Sequence, residues 1–256
     1  MQTKKLISPQ FRVNTGQYEI TGGMEVECFS SRQARADWCR VSFAPAMQDT
    51  VSYADMEPAV LELGYEDDYD VLLYGYCRKT SGDTWKELLI RDAMMKLDRI
   101  SVKASFTGCT PQDIIKYVLV QAGVEDYQLS EEIYAQKKLV VVDSCSGVKT
   151  IEQVNAAWGL DHDFYFRNGV FYWGCAPEQE AVYVLEEDIN ILSLNRYGEL
   201  YEVETFGVPW IHHSQEIEVA HTNYTGTAKV EKTIIKSDEG GYVRMYIYFK
   251  GGCKGG

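Results

Sequence analysis

Between Phe106 and Tyr127 the chain reads FTGCTPQDIIKYVLVQAGVEDY, and this stretch narrows the fold more than any other. Thr110 is an N-cap, because its hydroxyl accepts from a backbone N–H that the first helical turn leaves free. Pro111 follows at the first helical position, where a missing N–H costs nothing. Asp113, three residues after the cap, places a negative charge at the positive end of the helix dipole. Ile114, Ile115, Val118, Leu119 and Ala122 recur at three- and four-residue spacing and make one apolar stripe. Gly123 suits the C′ position, where the chain takes a positive φ. A short capped helix is therefore set in a chain that reads as strand on both sides, and the expected class is α+β, mostly β.

The flanks support that. Met24, Val26 and Cys28 alternate with Glu25 and Glu27 as a half-buried strand, after turns at Asn14-Thr15-Gly16 and Thr21-Gly22-Gly23. Trp38 to Phe43 is a further strand stopped by Pro45, and Val60 to Leu63 with Asp70 to Lys79 makes a hairpin over an acidic turn. Trp85 to Leu97 splits into a strand to about Arg91 and a short helix from Asp92 to about Arg99; Ile100 to Phe106 returns to strand. Leu139 to Val142 is a continuous apolar run, which reads as a strand covered on both faces. Thr150 with Gln153 makes a capping box for a second helix, with Ile151, Val154, Ala157 and Trp158 as its stripe and Gly159 as its end. Asn168-Gly169 between two aromatic runs signals a hairpin with a type I′ turn. The remainder is strand: Ala181 to Leu185, Ile189 to Leu194, Leu200 to Phe206, Glu216 to His221, and Ala228 to Lys236 turning at Asp238-Glu239-Gly240-Gly241 into Tyr242 to Lys250. In that last strand Val243, Met245, Ile247 and Phe249 face a core, and Tyr242, Arg244, Tyr246 and Tyr248 face outward as a surface fit to meet a partner. The closing GGCKGG is expected to be disordered.

At 256 residues the chain suits two or three compact units. No run approaches the ~20 apolar residues that span a bilayer, and the N-terminus lacks the apolar core of a secretory signal, so synthesis in the cytoplasm is expected. A formal net charge of −13 argues against tight nucleic-acid binding, which rests on Lys and Arg. The seven cysteines, Cys28, Cys39, Cys77, Cys109, Cys145, Cys175 and Cys253, include no CxxC pair and read as reduced, small apolar side chains.

Motifs that carry chemistry are sparse. His212, His213 and His221 near Glu216 and Glu218 offer metal-ligand residue types, without the spacing of a known site. Asp161-His162-Asp163 offers an imidazole between carboxylates for acid–base work. Glu66, Asp67, Asp68 and Asp70 lack the spacing of a calcium loop and read as a solvated turn. There is no P-loop, G-x-S-x-G, G-x-G-x-x-G or H-E-x-x-H. The expectation is a non-enzyme with no catalytic, cofactor-binding or metal residues.

Four stretches in a fixed order carry a resemblance. They are GQYEITGGMEVECFSSRQARADWCRVSFAP, AVLELGYEDDYDVLLYGYCRK, SFTGCTPQDIIKYVLVQAGV with its T-P-x-D-I-I helix start, and VPWIHHSQEIEVAHTNYTGTAKVEKTIIKSDEGGYVRMYIYF. In that order they resemble the baseplate hub proteins of phage tails, PBSX-like prophages and related contractile injection machines. The chain departs from that family in being short, and in carrying His213-Ser214 where a glycine before the glutamine is more usual. The resemblance implies two tail-tube-like antiparallel β-barrels, from residues 1–105 and 181–256 (251–256 a tail), with a small α/β module of 106–180 between them. It further implies a homotrimeric ring in a virion baseplate or phage-like particle, joining a tail tube protein to a spike protein. DNA would pass an acidic lumen without specific binding, since carboxylates repel phosphates at short range. Two other functions are open to these residues: a tail-associated cell-wall hydrolase using a histidine–carboxylate group, and a carbohydrate-binding module using exposed aromatics of Phe164 to Trp173.

Overall fold

Alternation of apolar and polar side chains builds most of this molecule, and it does so in strands whose partners lie far apart in the chain. The computed structural model describes residues 8–33, 36–48, 50–66, 68–79, 87–238 and 241–251. Trp85, Asp67, Cys253, the middle of the expected 238–241 turn and nearly all of the closing GGCKGG fall outside the described residues. The chain runs through β1 (Pro9–Thr15), β2 (Tyr18–Ile20), β3 (Met24–Ser31), β4 (Trp38–Phe43), β5 (Pro58–Tyr65), β6 (Asp68–Arg78) and β7 (Glu87–Arg91). It continues with α1 (Met94–Arg99), β8 (Val102–Cys109), α2 (Pro111–Gln121), β9 (Tyr127–Leu129), β10 (Lys137–Cys145), α3 (Gly147–Trp158), β11 (Phe164–Arg167) and β12 (Val170–Trp173). The last part holds β13 (Tyr183–Glu186), β14 (Ile191–Tyr197), β15 (Leu200–Phe206), β16 (Glu216–His221), β17 (Tyr224–Ser237) and β18 (Val243–Lys250). The fold is α+β and mostly β.

By its packing the chain forms two units, Met1–Arg91 with Glu178–Gly256, and Asp92–Pro177. The first is a 13-stranded sheet in the order β14-β15-β18-β17-β3-β4-β7-β6-β5-β1-β2, with β16 on β17 and β13 on β16. Its two chain segments are joined where β17 pairs antiparallel with β3, Ile235 opposite Cys28 and Ile234 opposite Phe29. Long β17 makes this possible: Tyr224 to Lys229 pairs with β16, and after a register shift near Val230 its remainder lies between β18 and β3. Inward residues of both segments, including Val13, Val41, Leu61, Ile90, Val203, Ile217, Val230, Ile247 and Phe249, form one fully buried cluster. Non-directional apolar burial holds the two segments together as one core.

The loop after β15 adds polar anchors within this unit. Tyr65 donates its hydroxyl to the Gly207 carbonyl, and Trp210 Nε1 donates to Asp70 Oδ2 at 2.7 Å. Burial pushes the Tyr65 hydroxyl up to about 12, so it remains a donor. Asp70 is thus a structural acceptor, which corrects the reading of the whole acidic turn as solvated.

In the second unit α2 follows the sequence signals closely. Thr110 Oγ1 accepts from Asp113 N, and the Asp113 carboxylate accepts from Thr110 N at 2.8 Å, a complete capping box. Ile114, Ile115, Val118 and Leu119 are buried, and Gly123 takes φ +64. The start of α3 differs from expectation. Ser146, not Thr150, is the N-cap, accepting from Lys149 N; Thr150 is buried one turn in and donates Oγ1 to Ser146 O at 2.9 Å. Ala157 is exposed rather than part of the stripe, and Gly159 ends the helix in the left-handed region. Gly147 admits a close approach: a Cβ there would meet Leu97 O at 2.8 Å.

The run at Leu139–Val142 is a strand, but it is not covered on both faces. Among the described residues β10 pairs with β8 alone, as a two-stranded ribbon, and Leu139 and Val141 are 59% and 60% exposed while Val142 is buried. Asn168 and Gly169 both take positive φ in the β11–β12 turn, as a type I′ hairpin requires.

Candidate functional site

The histidines of the last β region do not converge. His213 is buried with Nε2 3.8 Å from Asp37 Oδ2 and Nδ1 3.0 Å from Ser214 Oγ. Asp37 in turn accepts from Ser30 Oγ at 2.6 Å and Ser31 N at 3.0 Å, so this imidazole meets a carboxylate already held by β3. His221 pairs instead with Glu187, Nε2 to Oε1 at 3.4 Å, and the backbone N of His212 donates to Gln215 Oε1 at 2.8 Å. Glu216 and Glu218 point outward from β16, whose alternate residues Ile217 and Val219 are buried. Among the described residues no group of three or more His, Cys, Asp or Glu is arranged to hold a metal ion.

His162 is the most organised polar side chain of the second unit. Its Nε2 lies 2.6 Å from the Tyr134 hydroxyl and 4.0 Å from Glu132 Oε2, and Tyr134 donates to Ser130 Oγ at 3.0 Å. The ring stands edge-on against Trp173, with centroids 4.7 Å apart. Trp173 is fully buried and donates Nε1 to Asn155 Oδ1 at 2.8 Å, while Asn155 Nδ2 donates to the His162 carbonyl at 2.7 Å. Asn155 on α3 therefore ties together the strand that carries Trp173 and the link that carries His162. Burial, chiefly, raises the Tyr134 hydroxyl above its ordinary range. This arrangement fixes an imidazole in place; it is a packed polar joint. An open groove of about 490 Å³ lies beside it, lined by Gln112, Lys116, Tyr127, Glu131, Glu132 and Tyr134 among others. Sequence reasoning singled out His162 but not Tyr134, Ser130, Asn155 or Trp173 as its partners, because no spacing along the chain announces a contact made across three elements.

The aromatic hairpin is not an exposed platform, contrary to the carbohydrate-binding expectation. Tyr165, Phe166, Phe171, Tyr172 and Trp173 are all buried, with Tyr165 stacked on Tyr172 at 5.7 Å. The open aromatic surface lies on the large sheet. Tyr246 sits opposite Glu204 and Ile234, Ile234 opposite Phe29, and Phe29 opposite Trp38, with the last two rings stacked at 5.4 Å. This half-buried row crosses the β17–β3 junction. Tyr248 lies beside it with Lys232 Nζ 3.7 Å from its ring centroid, and burial followed by Glu202 raises its hydroxyl pKa. Arg244–Glu204 and Lys236–Glu27 ion pairs, at 3.6 and 2.8 Å, sit on the same face. Its alternate residues Val243, Met245, Ile247 and Phe249 are buried as the pattern predicts. Among the described residues no helix is long and apolar enough to cross a membrane.

No family model matches this sequence, and no curated protein matches it. Solved structures do. A 43 kDa tail protein of prophage MuSo2 from Shewanella oneidensis is similar at TM-score 0.72 and 10% identity, over 95% of this chain and 98% of that one. A tail protein from Neisseria meningitidis MC58 is similar at TM-score 0.70 and 13% identity, over 96% and 97%. A component of the type VI secretion system of E. coli, described as structurally similar to the bacteriophage T4 tail proteins gp27 and gp5, is similar at TM-score 0.64 and 11% identity, over 94% and 77%. The order of strands and capped helix that resembled tail hubs in the sequence thus returns in three dimensions: this chain has the fold of phage tail proteins.

Proposed function

We propose that this chain is a structural hub subunit of a phage tail baseplate or of a phage-like injection particle. The observation that carries the reading is the fold likeness to two tail proteins over nearly the whole length of both partners. In this reading residues 1–105 and 181–256 each supply one tube-type barrel, their inner faces meeting in the shared core, and residues 106–180 form the module between them; that Asp92–Pro177 packs as a unit of its own supports a separate module. Three copies then close a ring with six barrels, which adapts a sixfold tube to a threefold spike. The partly open aromatic row through Tyr246, Phe29 and Trp38 has the residue types that favour a protein interface. A net charge of −13 suits a lumen that lets DNA pass without holding it. The role is read as non-enzymatic on the fold likeness to tail proteins.

Light scattering coupled to gel filtration, with negative-stain microscopy, tests this. A trimer seen as a ring, alone or with a spike protein, supports it. A monomer at every concentration, with and without tube and spike proteins, overturns it. Clearing of bacterial cell walls in a zymogram would replace it with the hydrolase reading.

A further inference from the structure

Cys28 on β3 and Cys39 on β4 are set directly opposite each other by the antiparallel register. The kind of opposition decides what their thiols can do. Along an antiparallel ladder, pairs that exchange both backbone hydrogen bonds alternate with pairs that exchange none, and in the latter the Cα atoms are only about 4.5 Å apart. At the end of this ladder Ala44 N donates to Gly23 O at 2.8 Å, which marks Gly23 and Ala44 as a hydrogen-bonded pair. The register continues unbroken from Met24↔Phe43 to Phe29↔Trp38. Stepping by two, Glu25, Glu27 and Phe29 are hydrogen-bonded to β4, and Met24, Val26 and Cys28 are not. A separate bond agrees: Val26 N donates to Ser237 Oγ of β17 at 2.8 Å, away from β4.

Cys28 and Cys39 therefore face each other at a non-hydrogen-bonded position, and a separation of about 4.5 Å lies within the span of roughly 4.4–6.8 Å that a disulfide bridges. Both side chains are buried on the core side of the sheet. The other described cysteines have different neighbours. Cys77 is a full strand away from Cys39, since Ile90 of β7 pairs with both, and its sulfur meets Thr15 Oγ1 at 3.1 Å. Cys109 and Cys145 lie at opposite ends of the β8–β10 ribbon, across from Lys137 and Val102. The Cys175 thiol donates to Gln128 O at 3.4 Å.

We propose that Cys28 and Cys39 form a cross-strand disulfide when the chain meets oxidising conditions, stapling β3 to β4 beside the junction of β3 with β17. This stands on geometry alone and is independent of the tail-hub reading. With a small disulfide as oxidant, one protein thiolate attacks it, expels one small thiol and leaves a mixed disulfide; the second protein thiolate then displaces the other small thiol. Two S–H bonds are lost from the protein, one S–S bond forms, and the two protons end on the two small thiols. Burial, and then the Cys28 thiol, push the Cys39 thiol well up, so the folded reduced chain exchanges slowly and closure occurs while β3 and β4 are open.

A chain retaining only Cys28 and Cys39, the other five cysteines changed to Ala, is denatured and refolded with oxidised glutathione. The expected product has lost two hydrogens in intact mass and yields one cross-linked peptide containing both residues. The wild-type chain, refolded the same way and mapped by mass spectrometry, covers the case in which that variant does not fold; Cys28–Cys39 is expected as its dominant pairing. Recovery of both cysteines as free thiols open to alkylation, or as glutathione adducts that never close, in a folded chain overturns the proposal. So does a wild-type map dominated by another pairing.

Discussion

Two stretches rich in aromatic residues, Phe164–Trp173 and Tyr242–Phe249, end in different surroundings. In the first, Tyr165 and Phe166, and Phe171, Tyr172 and Trp173, are consecutive and buried, so both faces of the hairpin are covered. In the second, burial alternates residue by residue, leaving Tyr242 exposed and Tyr246 and Tyr248 half-buried. The difference is in how many faces are covered. The hairpin is covered on both of its faces, whereas the 13-stranded sheet buries one face and leaves the other to solvent or a partner. The same contrast separates structural aromatics from those available for recognition.

The sharpest test is Trp173→Ala, which opens a cavity and leaves Asn155 Oδ1 without its donor; a loss of about 3–5 kcal/mol in urea denaturation is expected. A loss under about 1 kcal/mol would erase the distinction between the two regions. Next, Gly147→Ala probes tightness in the small unit, where a Cβ would stand 2.8 Å from Leu97 O, and should cost about 1–3 kcal/mol. Its counterpart Gly22→Ala in the large sheet unit has open space around the added methyl and should fall within about 0.5 kcal/mol of wild type.

Thr110→Ala should cost about 1 kcal/mol, and it also changes the response to acid. The Thr110 backbone N–H, and then its hydroxyl, hold the Asp113 carboxyl below the usual carboxylate range. A depressed folded pKa contributes stability that is fully present above the unfolded value, about 3.9, and is lost as pH falls through the folded value. Asp113→Asn should therefore flatten the decline in urea midpoint below about pH 4. A wild-type slope in that variant would mean that other carboxylates govern the acid limb. The smallest effect belongs to the open face: Tyr242→Ser should shift stability by less than about 0.5 kcal/mol. A shift as large as that of Trp173→Ala would show that this tyrosine is packed, not available.

How far these features were legible depended on their range. The limits of α2 were readable because Thr110, Pro111, Asp113 and Gly123 act within a few residues of one another. The start of α3 was misplaced by one turn, since Ser146 and Thr150 both carry a cap-forming hydroxyl and only packing buried the second. Leu139 to Val142 read as doubly covered because apolar content does not say how many layers lie over a strand. The aromatic hairpin was open to a sugar-binding reading for the same reason. His162 was visible; its partners at Tyr134 and Trp173 were not, being 28 and 11 residues away along a path no period describes.

The amino-acid order by itself determined the caps of α2, the Gly159 end of α3, the Asn168-Gly169 turn and the inward and outward faces of β18, all set by local backbone preference and side-chain period. Only the tertiary structure decided that β17 joins β3, that Cys28 faces Cys39, and that Val26 reaches Ser237 across 211 residues. Apolar burial specifies that a face must be covered but carries no address for the strand that covers it, so pairing is settled when competing registers are compared in the folded chain.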